Sequence, residues 1–145
     1  MTKIKKIVAA AIATISMGAV TATASAGTIL TPPVNWQAVY AQGAPSSVNK
    51  TYLYSVYTYG NGHDITCTSF TGDYNRAVVV KKQYNVKILS VESLYEEEVA
   101  ELHATTYSPI HVENPENNVG NTITFSFKAS EVTSCEAYGV ISHHT

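Results

Sequence analysis

Five histidines, eleven acidic residues and two cysteines are the groups in this 145-residue chain best suited to chemistry. His63, His103, His111, His143 and His144 offer imidazole nitrogens. His143 and His144 could hold a metal with His63 and Asp64 if the fold brought the two stretches together. Their spacing matches no standard ligand pattern, and a histidine pair at a chain end is ordinarily solvated. The sequence therefore predicts no metal and no cofactor. No serine stands in a G-x-S-x-G elbow, so the signal for a nucleophilic triad is absent. Glu96, Glu97, Glu98 and Glu101 supply carboxylates, but a run of adjacent acids normally forms a solvated face or turn, and glycosidase pairs need defined separations in space. The expectation is a protein that is not an enzyme, with a small secreted hydrolase as the remotest alternative.

Binding chemistry has more to work with. Tyr52, Tyr54, Tyr57 and Tyr59 crowd one short stretch, and tyrosine offers a large contact area with a polar tip at low entropic cost. On a strand, Tyr52 and Tyr54 share one face and Tyr57 and Tyr59 the other, so at least one pair should be accessible as a binding surface. The plainer reading makes some of them core and the rest a cover for the sheet.

Compartment follows from the N-terminus. Lys3, Lys5 and Lys6 precede an uncharged run over residues 7–20, and Ala24 and Ala26 stand in the A-x-A pattern of a signal peptidase site. The apolar run is shorter than the roughly 20 residues a membrane span needs. Residues 1–26 are thus expected to be a secretory signal peptide and 27–145 a single exported domain, secreted or at the cell surface, with no integral membrane segment. Three of the nine basic residues and none of the eleven acids lie in the leader, which leaves six bases against eleven acids and a net charge of −5. That sign argues against nucleic acid and anionic membrane surfaces, both of which need positive fields. Cys67 and Cys135 lie 68 positions apart, and an even pair in an exported chain is expected to form a disulfide worth about 4 kcal/mol.

The elements that would position these groups read as strands. All ten tyrosines and the single tryptophan follow the leader, among many Thr, Val and Ser. Expected strands cover residues 34–40, 51–59, 63–70, 76–84, 86–91, 97–107, 122–129 and 134–141. Gly60-Asn61-Gly62 suggests a tight turn joining the second and third as a hairpin, and Asn85 a break between the fourth and fifth. Residues 93–107 are ambiguous: Ser93 with Glu96 matches a helical capping box, while Ala100, Leu102 and Ala104 alternate as a strand would. A strand from residue 97, preceded by a turn, is favoured. Ile123, Phe125, Phe127 and Ala129 share one face of the most regular strand, and Cys135, Ala137, Gly139 and Ile141 one face of the last. Seven or eight short strands at this spacing predict an all-β antiparallel β-sandwich, with Cys67 and Cys135 pinning its two sheets together.

The cysteine separation is similar to that of an immunoglobulin inter-sheet bridge. The chain departs from that pattern at Trp36, which precedes the first cysteine, and at Thr133, which stands where the corner tyrosine would be. The small, exported, tyrosine-rich form also resembles sandwich-type bacteriocins of Gram-positive bacteria, a likeness of form that no motif carries. Together these features predict an exported, non-enzymatic surface or extracellular binding module for a protein or glycan. A secreted effector, either bacteriocin-like or an inhibitor of a hydrolase, is the alternative.

Overall fold

The computed structural model describes residues 3–6, 28–73 and 75–145. Among these residues ten strands form in chain order: β1 (Lys3–Lys6), β2 (Ile29–Leu30), β3 (Val34–Tyr40), β4 (Tyr52–Tyr57), β5 (His63–Thr71), β6 (Val78–Ile88), β7 (Val91–Leu102), β8 (Ile110–Val112), β9 (Thr122–Ala129) and β10 (Cys135–His143). They make a six-stranded sheet, β1-β7-β6-β9-β4-β2, and a four-stranded sheet, β3-β10-β5-β8. The chain is all-β with two sheets, and the count exceeds the expected seven or eight because of the short β1, β2 and β8.

Alternation explains how the sheets meet. Ile123, Phe125, Phe127 and Ala129 of β9 are all buried, as are Val34, Trp36 and Ala38 of β3 and Cys135, Ala137 and Ile141 of β10. The Trp36 ring of the four-stranded sheet stacks on Phe127 of the six-stranded sheet at 4.3 Å and 12°. His63 meets Phe125 edge-on at 5.7 Å across the same interface. The core therefore lies between the two inner faces.

Several expectations are corrected. Cys67 and Cys135 do not form a disulfide; both are free and buried. They lie on neighbouring strands of one sheet rather than on facing sheets. Cys67 is paired with Gly139, and Cys135 sits four residues further along β10, about 13 Å at ~3.3 Å per residue. A bridge needs Cα atoms roughly 4.4–6.8 Å apart. Burial raises the pKa of both thiols, which disfavours the reactive thiolate.

The Gly60-Asn61-Gly62 turn does not close a hairpin. Gly60 and Gly62 do adopt positive φ, +72° and +99°, but β4 pairs with β9 and β2, whereas β5 pairs with β10 and β8. The turn carries the chain from one sheet to the other. The ambiguous segment is a strand with shifted bounds, beginning at Val91 and ending at Leu102, and Ser93 and Glu96 pair in a ladder instead of capping a helix. Asn85 does not break the preceding strand, because β6 runs through it opposite Leu94. The turn falls at Leu89 and Ser90, between the paired Ile88 and Val91, with Leu89 at φ +56°.

Of the expected leader, the apolar run and the cleavage site at Ala26 lie outside the described residues. Its basic start is β1, paired antiparallel with β7 at the sheet edge, Lys3 opposite Glu98 and Lys5 opposite Glu96. Among the described residues, no helix is long and apolar enough to cross a membrane.

Candidate functional site

One end of the molecule gathers most of its unusual chemistry. The β6–β7 hairpin outgrows the sandwich: β6 pairs with β9 only over Val78 to Gln83, while its ladder with β7 continues to Ile88. The inner face of the hairpin looks onto β8 and the segment that follows it. Cross-strand pairs on that face are Lys82 with Glu97, still within the stretch paired to β9, and Tyr84 with Tyr95 beyond it. Facing them is the segment after β8, held by Asn114 Nδ2, which donates to the Gly60 carbonyl at 3.1 Å, and by Asn118 Nδ2, which donates to the Thr122 carbonyl at 2.8 Å.

Between hairpin and segment lies an open cleft of about 580 Å³. The Tyr84 and Tyr95 rings stack near-parallel, 5.9 Å apart at 16°, and line it. At its inner end Lys82 Nζ and Glu97 Oε2 form an ion pair of 3.3 Å, with side chains only 5% and 11% exposed. Such a pair survives burial because its remaining groups are satisfied: Lys82 Nζ also donates to the Glu113 carbonyl at 2.9 Å and lies 5.5 Å from the Tyr84 ring centre. Burial raises the Tyr84 pKa, helped by the Glu97 charge and by Tyr95, so the phenol stays a hydrogen-bond donor. Glu113 and Glu116 line the mouth, and the buried Oδ1 of Asn114 has no donor among the described residues.

A histidine cluster adjoins this cleft. Asp64 on β5 is directly opposite His111 on β8, and the His144 amide donates to the Gly62 carbonyl at 3.0 Å. The imidazoles converge on one carboxylate: His111 Nδ1 is 3.1 Å from Asp64 Oδ1, and His144 Nδ1 is 2.9 Å from Asp64 Oδ2. Burial pushes the Asp64 pKa upward, but the bonds and charges of His144 and His111 outweigh it and hold the carboxyl below its ordinary value. His63 points the other way, into the core. Burial lowers its pKa to about 4, His143 adds to the shift, and the Tyr57 backbone and Asp64 oppose it. Among the described residues neither His63 ring nitrogen has a partner in hydrogen-bond geometry, so this imidazole behaves as a neutral core ring.

The tyrosine quartet divides as the strand period demands. Tyr52 is buried, and Tyr54 packs against the core, its ring edge-on to Phe127 at 5.7 Å and its hydroxyl accepting from the Gln37 amide at 2.9 Å. Tyr57 and Tyr59 are 44% and 50% exposed, 6.4 Å apart, with Tyr59 resting 4.7 Å from His143. The structure thus brings His144 and Asp64 together, as the sequence allowed, and adds His111 in place of His63. With Asn85 taken as a break, nothing in the sequence joins Tyr84, Tyr95 and Lys82 to Glu97, which it offers only as one of a run of acids. A turn at Leu89 and Ser90 would have placed them in cross-strand pairs.

No family model, curated protein or solved structure matches the chain.

Proposed function

We propose that this chain is an exported, non-enzymatic binding module that takes a neutral or amino-bearing glycan into the cleft beneath the β6–β7 hairpin. The observation that carries this reading is a concave site lined by the stacked Tyr84–Tyr95 pair. Aromatic rings suit the apolar faces of sugar rings, and the Glu113 and Glu116 carboxylates suit hydroxyl or amine donors. The one lysine inside is already paired, so little in the cleft favours an anion. The exposed Tyr57–Tyr59 pair is the rival surface.

Isothermal titration with N-acetylglucosamine oligomers and neutral glucan oligomers tests the reading. Tyr84→Ala and Tyr95→Ala should each weaken binding about five- to 150-fold, taking the roughly 1–3 kcal/mol that a planar ring gains by stacking on one aromatic side chain. Tyr57→Ala and Tyr59→Ala should leave it unchanged. The opposite pattern would move the binding surface to the exposed pair, and no binding of either oligomer class would remove the glycan reading.

Export is part of the proposal and rests on the basic, apolar and small-residue order of residues 1–26. Cleavage would remove β1 and turn β7 into an edge strand. Glu92, Glu96 and Glu98 along β7 are the charges that discourage edge-to-edge pairing. Mass spectrometry of secreted protein should find Gly27 at the N-terminus; material that keeps Met1 would contradict export.

The effector alternative has an observation of its own. At the tip of the same hairpin, Ile88, Leu89 and Val91 are 56%, 93% and 62% exposed. A projecting apolar tip suits insertion into a protein target's cleft. Under that reading Leu89→Ser would abolish target capture and spare saccharide binding.

A further inference from the structure

The geometry points to a divalent transition-metal site of the zinc class at Asp64, His111 and His144. Three side chains from separate places in the sequence converge: a strand residue, its direct cross-strand neighbour, and a residue just beyond the last strand. One ligand atom from each lies within 4.8 Å of the other two. In a tetrahedral site with bonds of about 2.05 Å, neighbouring ligand atoms stand about 3.4 Å apart. The carboxylate–imidazole distances here are 2.9–3.1 Å, shorter than that, so these two edges of the site must open to admit an ion.

The backbone holds the arrangement before any ion arrives. The β5–β8 ladder fixes Asp64 opposite His111, and the amide of His144 is tied to Gly62. Gly62 is essential to this approach because a side chain there would run into the Val112 carbonyl and the His111 ring. The two imidazole rings lie 4.0 Å apart, centre to centre, and both turn Nδ1 toward the same carboxylate.

Donor chemistry selects the metal. Two imidazoles and one carboxylate suit zinc, copper or nickel, whereas calcium and magnesium require shells made mainly of oxygen. Three protein ligands leave a fourth position for water or an outside ligand. Binding displaces the Nδ1 proton of each imidazole, either to Nε2 of the same ring or to solvent. His111 also lines the glycan cleft, but His144 does not, so the two sites can be separated experimentally.

The test is isothermal titration of the full chain, without an added histidine tag, using zinc chloride alone. The expected result is one ion per chain with a dissociation constant in the micromolar range or tighter. Calcium and magnesium should give no binding at the same concentrations. His111→Ala and His144→Ala should each weaken zinc at least tenfold while keeping the melting temperature measured in chelator. His103→Ala, whose ring pairs with Glu101 and is outside the three-residue cluster, should leave zinc binding unchanged. If Asp64→Ala fails to fold, the two histidine variants decide. Absence of binding at 100 μM zinc, or binding that survives His111→Ala as a property of the terminal His143-His144 pair, would overturn the site.

Discussion

Phe127→Ala should cost about 3–5 kcal/mol of folding stability, and Phe125→Ala a similar amount, as is usual for a buried phenylalanine. Both side chains are fully buried, and each touches the opposing sheet through an aromatic contact. Removing the Phe127 ring takes away the surface on which Trp36 stacks and the one against which the Tyr54 edge rests. Neither partner can collapse into the void, because β3 and β4 are fixed by their own ladders. A domain of this size has about 5–15 kcal/mol in total, so either change should strongly depress the melting temperature. Thr124→Ala, on the outer face of the same strand, forfeits a 2.8 Å hydrogen bond to Ser55 Oγ and should cost about 1 kcal/mol. Equal losses for Thr124→Ala and Phe125→Ala in urea melts would mean that the strand is in the wrong register.

Gly139→Ala should be as damaging, for a different reason. A Cβ at this position would overlap the Thr66 carbonyl and stand 2.6 Å from two carbons of the Trp36 indole. The same carbonyl accepts the indole N–H at 3.1 Å, and the β5–β10 register shifts between Tyr138 and Gly139. Either the two strands separate or Trp36 tilts, which breaks its hydrogen bond and its stack on Phe127. Overpacking costs about 1–3 kcal/mol or more, and the lost hydrogen bond about 1 kcal/mol further. The total should reach at least about 3 kcal/mol, with a changed near-ultraviolet signal from the single tryptophan. Gly43→Ala provides the contrast: nothing lies near its Cβ, and only the positive φ is strained, at about 1–2 kcal/mol. A Gly139→Ala protein within 1 kcal/mol of the wild type would contradict the packing described.

The two largest losses fall where the sequence was most legible. Period-two alternation along β9 and β10 depends on local side-chain direction, so the burial of Phe125, Phe127, Ala137 and Ile141 could be read directly. Pairing could not, because it depends on contacts remote in sequence. The glycines at 60 and 62 have the expected backbone, yet they link two sheets, a choice that β9 and β10 make later in the chain. The cysteine bridge failed for the same reason: inward-facing positions were identified, but their offset along β5 and β10 is a property of register. At the candidate site, the sequence allows His144 to meet Asp64 but gives no sign of His111, because the three are drawn together only by the β5–β8 ladder and the Gly62 tie. The Tyr84–Tyr95 pair is not legible because Asn85 suggests a break, whereas Asn85 is tolerated inside β6 and Leu89 carries the positive φ.

The central claim is that the functional surface lies beneath the overhanging hairpin and not on the exposed tyrosines of β4. Amide chemical shifts of the isotopically labelled chain, followed during titration with an N-acetylglucosamine oligomer, test it most directly. The expected result is a continuous, saturable set of perturbations over residues 82–86, 93–99 and 111–116, with residues 57–59 unmoved. Perturbations centred on Tyr57 and Tyr59, or none in the cleft at saturating oligomer, would contradict it.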